Sequence, residues 1–183
     1  MENNYIYNGK FSGNILIVGR TECGKTSFVQ KLALNNFFGK LKKTEWVSGI
    51  EISKTREAEI ETNFSCKVDF HYPSDEDELS DQLDQFKLES KSNELDNLKN
   101  VKNIFGEKSV RDRLIVFDDV SGLADDSKKF VSFLTVSRKY SYNCVYIFHT
   151  IYPEKANWRT ILSQTNIYNI FPATVPLTTS EKF

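Results

Sequence analysis

An apolar run, Ile15-Leu16-Ile17-Val18, passes directly into Gly19-Arg20-Thr21-Glu22-Cys23-Gly24-Lys25-Thr26, and nothing else in this chain so narrows the folds open to it. A G-x-x-x-x-G-K-[ST] segment cradles phosphate when a strand delivers it and a helix leaves it. Gly19 and Gly24 stand where the backbone must turn tightly and bring successive N–H groups up to an anion, an approach a side chain would obstruct. Lys25 is then expected to reach the β- and γ-phosphates of a nucleoside triphosphate. Thr26 is expected to offer its hydroxyl to magnesium, and the helix opening there to aim its positive end at the anion. The cradle spans Gly19 to Ser27, with Arg20, Thr21, Glu22 and Cys23 between the glycines. Ser27 to Leu34 continues as the helix, with Phe28, Val29 and Leu32 turned inward.

Strand signals recur at 14–19, 45–53, 66–72, 113–119, 144–150 and 166–171, with helical patterns between several of them. That alternation predicts an α/β fold: a central, mostly parallel sheet flanked by helices on both faces. Leu114-Ile115-Val116-Phe117 and Val145-Tyr146-Ile147-Phe148 are continuously apolar, as strands buried on both faces must be. With 183 residues the chain has room for one such domain, its core over about 12–171, and no clear room for a second. An acidic segment and a polar connection, 73–108, are inserted in it, and 172–183 reads as a non-helical tail or the stub of something longer. In the insert, Leu79, Leu83 and Phe86 follow helical spacing, with Ser74 and Asp77 at the start. This predicts a solvated amphipathic helix, with a basic partner's docking surface as the sharper alternative. A mobile connection is expected over 92–107.

The second motif is Arg113-Leu114-Ile115-Val116-Phe117-Asp118-Asp119, an apolar strand ending in two carboxylates. Strand ends of parallel sheets face the ligand crevice, so Asp118 is placed to hold magnesium near Thr26, and Asp119 to orient or activate the attacking water. Asp119-Val120-Ser121-Gly122 also has the D-x-x-G spacing by which switch GTPases sense the γ-phosphate. An N-K-x-D guanine signature is missing, however: the strand ending at Phe148 runs into His149-Thr150-Ile151-Tyr152-Pro153. ATP is therefore the expected nucleotide. A small-molecule phosphotransferase is a third possibility, but it calls for an Arg-rich lid that is not evident.

Taken with Ser137-Arg138-Lys139-Tyr140-Ser141-Tyr142-Asn143 before one strand and Asn157-Trp158-Arg159-Thr160-Ile161-Leu162 before the last, the order of motifs resembles the genome-packaging ATPases of large DNA viruses and Maverick-type transposons, within the FtsK/HerA superfamily. The resemblance covers roughly 14–171 and implies a RecA-like (ASCE) P-loop fold, Mg2+-dependent ATP hydrolysis and translocation of double-stranded DNA by a homo-oligomeric ring, usually a hexamer. It further implies a place in the host cytoplasm or nucleus or on the virion, with capsid or portal components as partners. In such rings an arginine just before the fourth core strand completes a neighbour's site. Arg138 matches that position, and Arg159 is a second candidate. The related motors carry a sensor Gln where this chain has Ile151; Thr150 beside it is the candidate for contacting phosphate or water, and His149 either does the same or caps the strand.

Lys40, Lys42 and Lys43, with Arg111 and Arg113, are the candidates for nonspecific DNA contact, since the net charge of -1 gives no global attraction for nucleic acid. Three widely spaced cysteines suggest neither a disulfide framework nor a zinc site, which fits a reducing compartment. No secretion signal is apparent and no run approaches the length of a membrane span. An intracellular protein is expected.

Overall fold

The computed structural model describes residues 6–7, 10–98, 111–124, 127–150 and 156–171. Two short strands, β1 (Ile6–Tyr7) and β2 (Lys10–Phe11), form an antiparallel pair ahead of the main sheet. That sheet comprises β3 (Asn14–Val18), β4 (Lys43–Ser48), β5 (Val68–His71), β6 (Arg113–Asp118), β7 (Tyr142–Phe148) and β8 (Ile167–Ile170). Its order is β5-β4-β6-β7-β3-β8, and every pairing is parallel. All six strands expected from the pattern form; the second stops at Ser48 rather than Ser53, where Gly49 leaves the ladder.

Strand alternation sends one set of side chains to each face. Ile15, Ile17, Trp46, Val116, Val145 and Ile147 pack with Val29 of α1 (Lys25–Leu34) and Ile60 of α2 (Lys54–Glu61). Leu16, Val47, Ile115, Phe117, Tyr146 and Phe148 pack beneath α3 (Glu76–Leu98), α4 (Ser121–Ala124), α5 (Lys128–Val136) and α6 (Ala156–Gln164). In α1 it is Val29 that is wholly enclosed, while Phe28 and Leu32 are half-buried at the rim of the same cluster.

The acidic insert forms α3, with Leu79, Leu83 and Phe86 fully buried and Glu76, Asp77, Glu78 and Asp81 outward. Its first turn is closed by Asp75 rather than Asp77: the Asp75 carboxylate accepts from Glu78 N at 2.8 Å, while Glu78 reaches back to accept from Ser74 N. The helix runs on to Leu98, into the stretch expected to be a mobile connection, because neither Gly nor Pro interrupts it. The rest of that connection, 99–107, and the tail at 172–183 lie outside the described residues.

Candidate functional site

The loop leaves β3 at Val18 and is pinned at once, Gly19 N donating to Phe148 O at 3.2 Å. A Cβ at Gly19 would lie 2.7 Å from both Cys23 Sγ and Phe171 Cβ, so only glycine fits. Gly24 caps α1 with φ 91°, a left-handed backbone that other residues adopt at a cost. Arg20, Thr21, Glu22, Gly24 and Ser27 are exposed, leaving the rim of the loop open, whereas Lys25 is buried. Its ammonium donates to Gly19 O at 2.7 Å and Arg20 O at 2.6 Å, with Cys23 Sγ at 3.9 Å.

Strand β7 separates the loop strand from β6, so residues at the tip of β7 lie between the phosphate loop and the paired aspartates. Thr26 Oγ1 donates to Asp118 Oδ2 at 3.3 Å, bringing the two expected magnesium ligands together. Burial pushes the Asp118 carboxyl up to about 6; the Thr26 hydrogen bond opposes the rise, neighbouring Asp119 adds to it, and the charges of Lys25 and His149 oppose it. A hydroxyl and a half-buried carboxylate that resists bearing an unpaired charge suit a hard divalent cation, which would hold that carboxylate ionised. The residues present therefore fit Mg2+ as well as a triphosphate.

Asp119 has φ 55°. Its backbone N donates to Ile147 O at 3.1 Å, and its carbonyl would lie 2.3 Å from a Cβ at Gly49. The bend at Asp119 is thus clamped by β7 on one side and by Gly49 on the other. Gly49 carries only one signal in the sequence, a glycine inside the expected strand 45–53, the pattern of a bend or of a close approach by another backbone. His149, one residue beyond β7, reaches both sides of the site: its Nδ1 is 3.4 Å from Lys25 Nζ and its Nε2 is 3.2 Å from Asp119 Oδ1.

Thr150 is exposed beside this group, and Ile151 lies outside the described residues. Arg138 is exposed in a turn of 3-10 helix, Ser137–Tyr140, at the opposite end of the strands. The seven residues of β7 separate it from the loop by about 20 Å. It cannot complete this chain's own site. Arg159 is exposed in the first turn of α6.

The basic candidates are mostly occupied within the chain. Lys42 pairs with Asp112 at 2.6 Å, and Lys43 with Glu45 at 2.7 Å and Glu89 at 2.6 Å. Burial works against the Lys43 charge, but its hydrogen bonds to Glu45 and Glu89 outweigh that and hold the ammonium above its usual range. Arg111 donates to Tyr142 O at 3.0 Å and Asn14 Oδ1 at 3.3 Å, while Arg113 is buried against the Tyr142 ring and donates to its hydroxyl at 3.3 Å. Lys40 is exposed.

No family model matches this chain, and no curated protein shows significant similarity to it. Solved structures do. The chain is similar to the cytoplasmic domain of EssC, at 12% identity and TM-score 0.58 over 86% of this chain and 32% of that one. It is also similar to EssC (ATPases 2 and 3) from Geobacillus thermodenitrificans, at 12% identity and TM-score 0.51 over 88% of this chain and 33% of that one. The fold is that of P-loop ATPase domains. Thermomonospora curvata EccC (ATPases 2 and 3), solved in complex with a signal sequence peptide, shares it at 11% identity and TM-score 0.51, over 83% of this chain and 28% of that one. The chain spans about a third of the length of these proteins.

Proposed function

We propose that this chain is the ATP-hydrolysing subunit of a homo-oligomeric motor that moves double-stranded DNA, as the packaging ATPases it resembles do. The observation that carries the enzymatic part is the convergence of Lys25, Thr26, Asp118 and Asp119 at one end of a parallel sheet. In the reaction, Lys25 exchanges its two carbonyl partners for β- and γ-phosphate oxygens of ATP. Thr26 and Asp118 would hold Mg2+, which would supply positive charge against that developing on the transferred group. Asp119 accepts a proton from the attacking water. Arg138, too far from its own loop, serves the loop of a neighbouring copy, where a guanidinium fork stabilises transition-state charge. The DNA part rests on the resemblance of the motif order.

A second reading has its own support: an ATP-driven or GTP-driven module acting through a protein partner. Lys43, Arg111 and Arg113 are engaged within the chain, which lowers the positive charge free for phosphates, and the structure of the similar EccC contains a signal sequence peptide.

Phosphate release from ATP and from GTP, measured with Mg2+ in the presence and absence of double-stranded DNA and alongside the oligomeric state, separates the two. ATP turnover by an oligomer, stimulated by DNA, is expected. Turnover indifferent to DNA would sink the DNA reading and favour the protein partner; absence of turnover on both nucleotides would sink the enzyme.

A further inference from the structure

His149 stands between the two halves of the site, and its surroundings define its ring. Lys25 Nζ is a donor only, so Nδ1 at 3.4 Å must offer its lone pair; the ring proton then lies on Nε2, which donates to the Asp119 carboxylate at 3.2 Å. A proton on Nδ1 would face an ammonium. The backbone at Asp119 is left-handed and clamped between Gly49 and Ile147, which fixes where its side chain begins but not where its carboxylate points. The contact from His149 supplies that second constraint.

We infer that His149 is a positioning residue that links occupancy of Lys25 to the orientation of Asp119. The inference rests on the ATPase reading and deepens it. Before nucleotide arrives, Lys25 is held by Gly19 O, Arg20 O and His149 Nδ1, and the imidazole anchors Asp119. When Lys25 turns to the β- and γ-phosphates it withdraws its proton from Nδ1. The freed lone pair then becomes an acceptor on the loop side of the ring, while Nε2 keeps its hydrogen bond to Asp119. Held through Oδ1 by that bond, the Asp119 carboxylate keeps its second oxygen to accept from the attacking water in a fixed direction. The first residue past β7 thus touches both partners.

The test uses the full chain with His149→Ala, His149→Phe and His149→Gln, reading kcat and KM for Mg·ATP, affinity for a fluorescent ATP analogue, and Tm. Phe keeps the ring and loses both nitrogens; Gln keeps one donor and one acceptor. Ala and Phe are expected to lower kcat at least ~10-fold while KM and analogue affinity stay within ~3-fold, and Gln to recover most of the loss. A structural role would show instead as a lowered Tm without this kcat-against-KM split. Full kcat in Ala and Phe overturns the inference, as does a loss of analogue binding matching that of Lys25→Ala, which would make His149 a binding group. Failure of the unmodified chain to bind the analogue or turn over ATP sinks the ATPase reading itself and this inference with it; normal turnover with indifferent His149 variants sinks only the inference.

Discussion

Thr26 donates its hydroxyl to Asp118 Oδ2 at 3.3 Å, across the width of an intervening strand. One partner opens the helix that leaves the phosphate loop, and the other ends an apolar strand two places away in the sheet. Neither element positions the pair alone. The contact depends on β7 lying between β3 and β6, so that the site is a property of the sheet order as much as of the two motifs.

Asp118 makes the protein's stability depend on pH in a defined sense. Burial raises its carboxyl from the ordinary 3.8 to about 6, so the folded chain holds this proton more tightly than the unfolded one. The group's contribution is complete below the unfolded value and is lost as pH rises through the folded one, amounting to at most about 3 kcal/mol. Without nucleotide, Tm should therefore fall from about pH 4 to about pH 6 more steeply than in Asp118→Asn. Mg·ATP, by stabilising the ionised form, should raise Tm more at the upper pH. Parallel pH curves for the two proteins would show that Asp118 is not shifted.

Lys25→Ala should weaken triphosphate binding about 100-fold, the worth of two charge-assisted hydrogen bonds to phosphate oxygens. Calorimetric titration with Mg·ATP measures it. Because Lys25 is buried on two backbone carbonyls, the variant should also leave Gly19 O and Arg20 O without their donor and lose a little stability. Unchanged affinity would refute the loop assignment.

Gly49→Ala probes a residue that touches no phosphate. The new Cβ would meet Asp119 O at 2.3 Å, and a backbone atom cannot swing aside as a flexible side chain can. A loss of about 1–3 kcal/mol is expected from the overpacking, together with a turnover deficit as the Asp119 bend shifts. Denaturant unfolding gives the first and phosphate release the second. A variant as active and as stable as its parent would show that the bend is not clamped there.

What was legible in the sequence was local. Gly19, Gly24, Lys25 and Thr26 act at fixed offsets along one loop, and Asp118 follows an apolar run, so each could be placed without knowing the fold. The sheet itself was legible for the same reason, since strand and helix periods are written in neighbouring residues. Contacts between distant segments were not. His149 gained its meaning only once β7 was seen to separate the loop from the aspartates, and Gly49 only once β4 was seen beside β6. Lys43, Arg111 and Arg113 looked like free charges because Glu89 and Tyr142, which engage them, are far along the chain. Helix α3 runs past the point where the polar, Asn- and Lys-rich composition predicts its end, because no Gly or Pro stands in 92–98 to break it.

Arg138 gives the test of assembly. It is exposed at the end of the strands away from the loop, so Arg138→Ala should leave Tm and ATP affinity nearly unchanged. If Arg138 enters a neighbour's site it should cut turnover by about 1000-fold. Asp119→Asn should be inactive for a different reason, its own water being unactivated. Mixed in equal amounts, the two variants form some interfaces in which an intact Asp119 on one subunit meets an intact Arg138 on the next. Random mixing in a head-to-tail ring makes about a quarter of the sites complete, and turnover should recover to that order. Equal mixing that forms mixed rings, shown by tagged-subunit pull-down, yet restores nothing would exclude the finger role and leave Arg138 a surface residue. The same mixture made with Arg159→Ala in place of Arg138→Ala then decides between the two arginines, because only the residue that crosses the interface can be rescued by a partner that lacks Asp119.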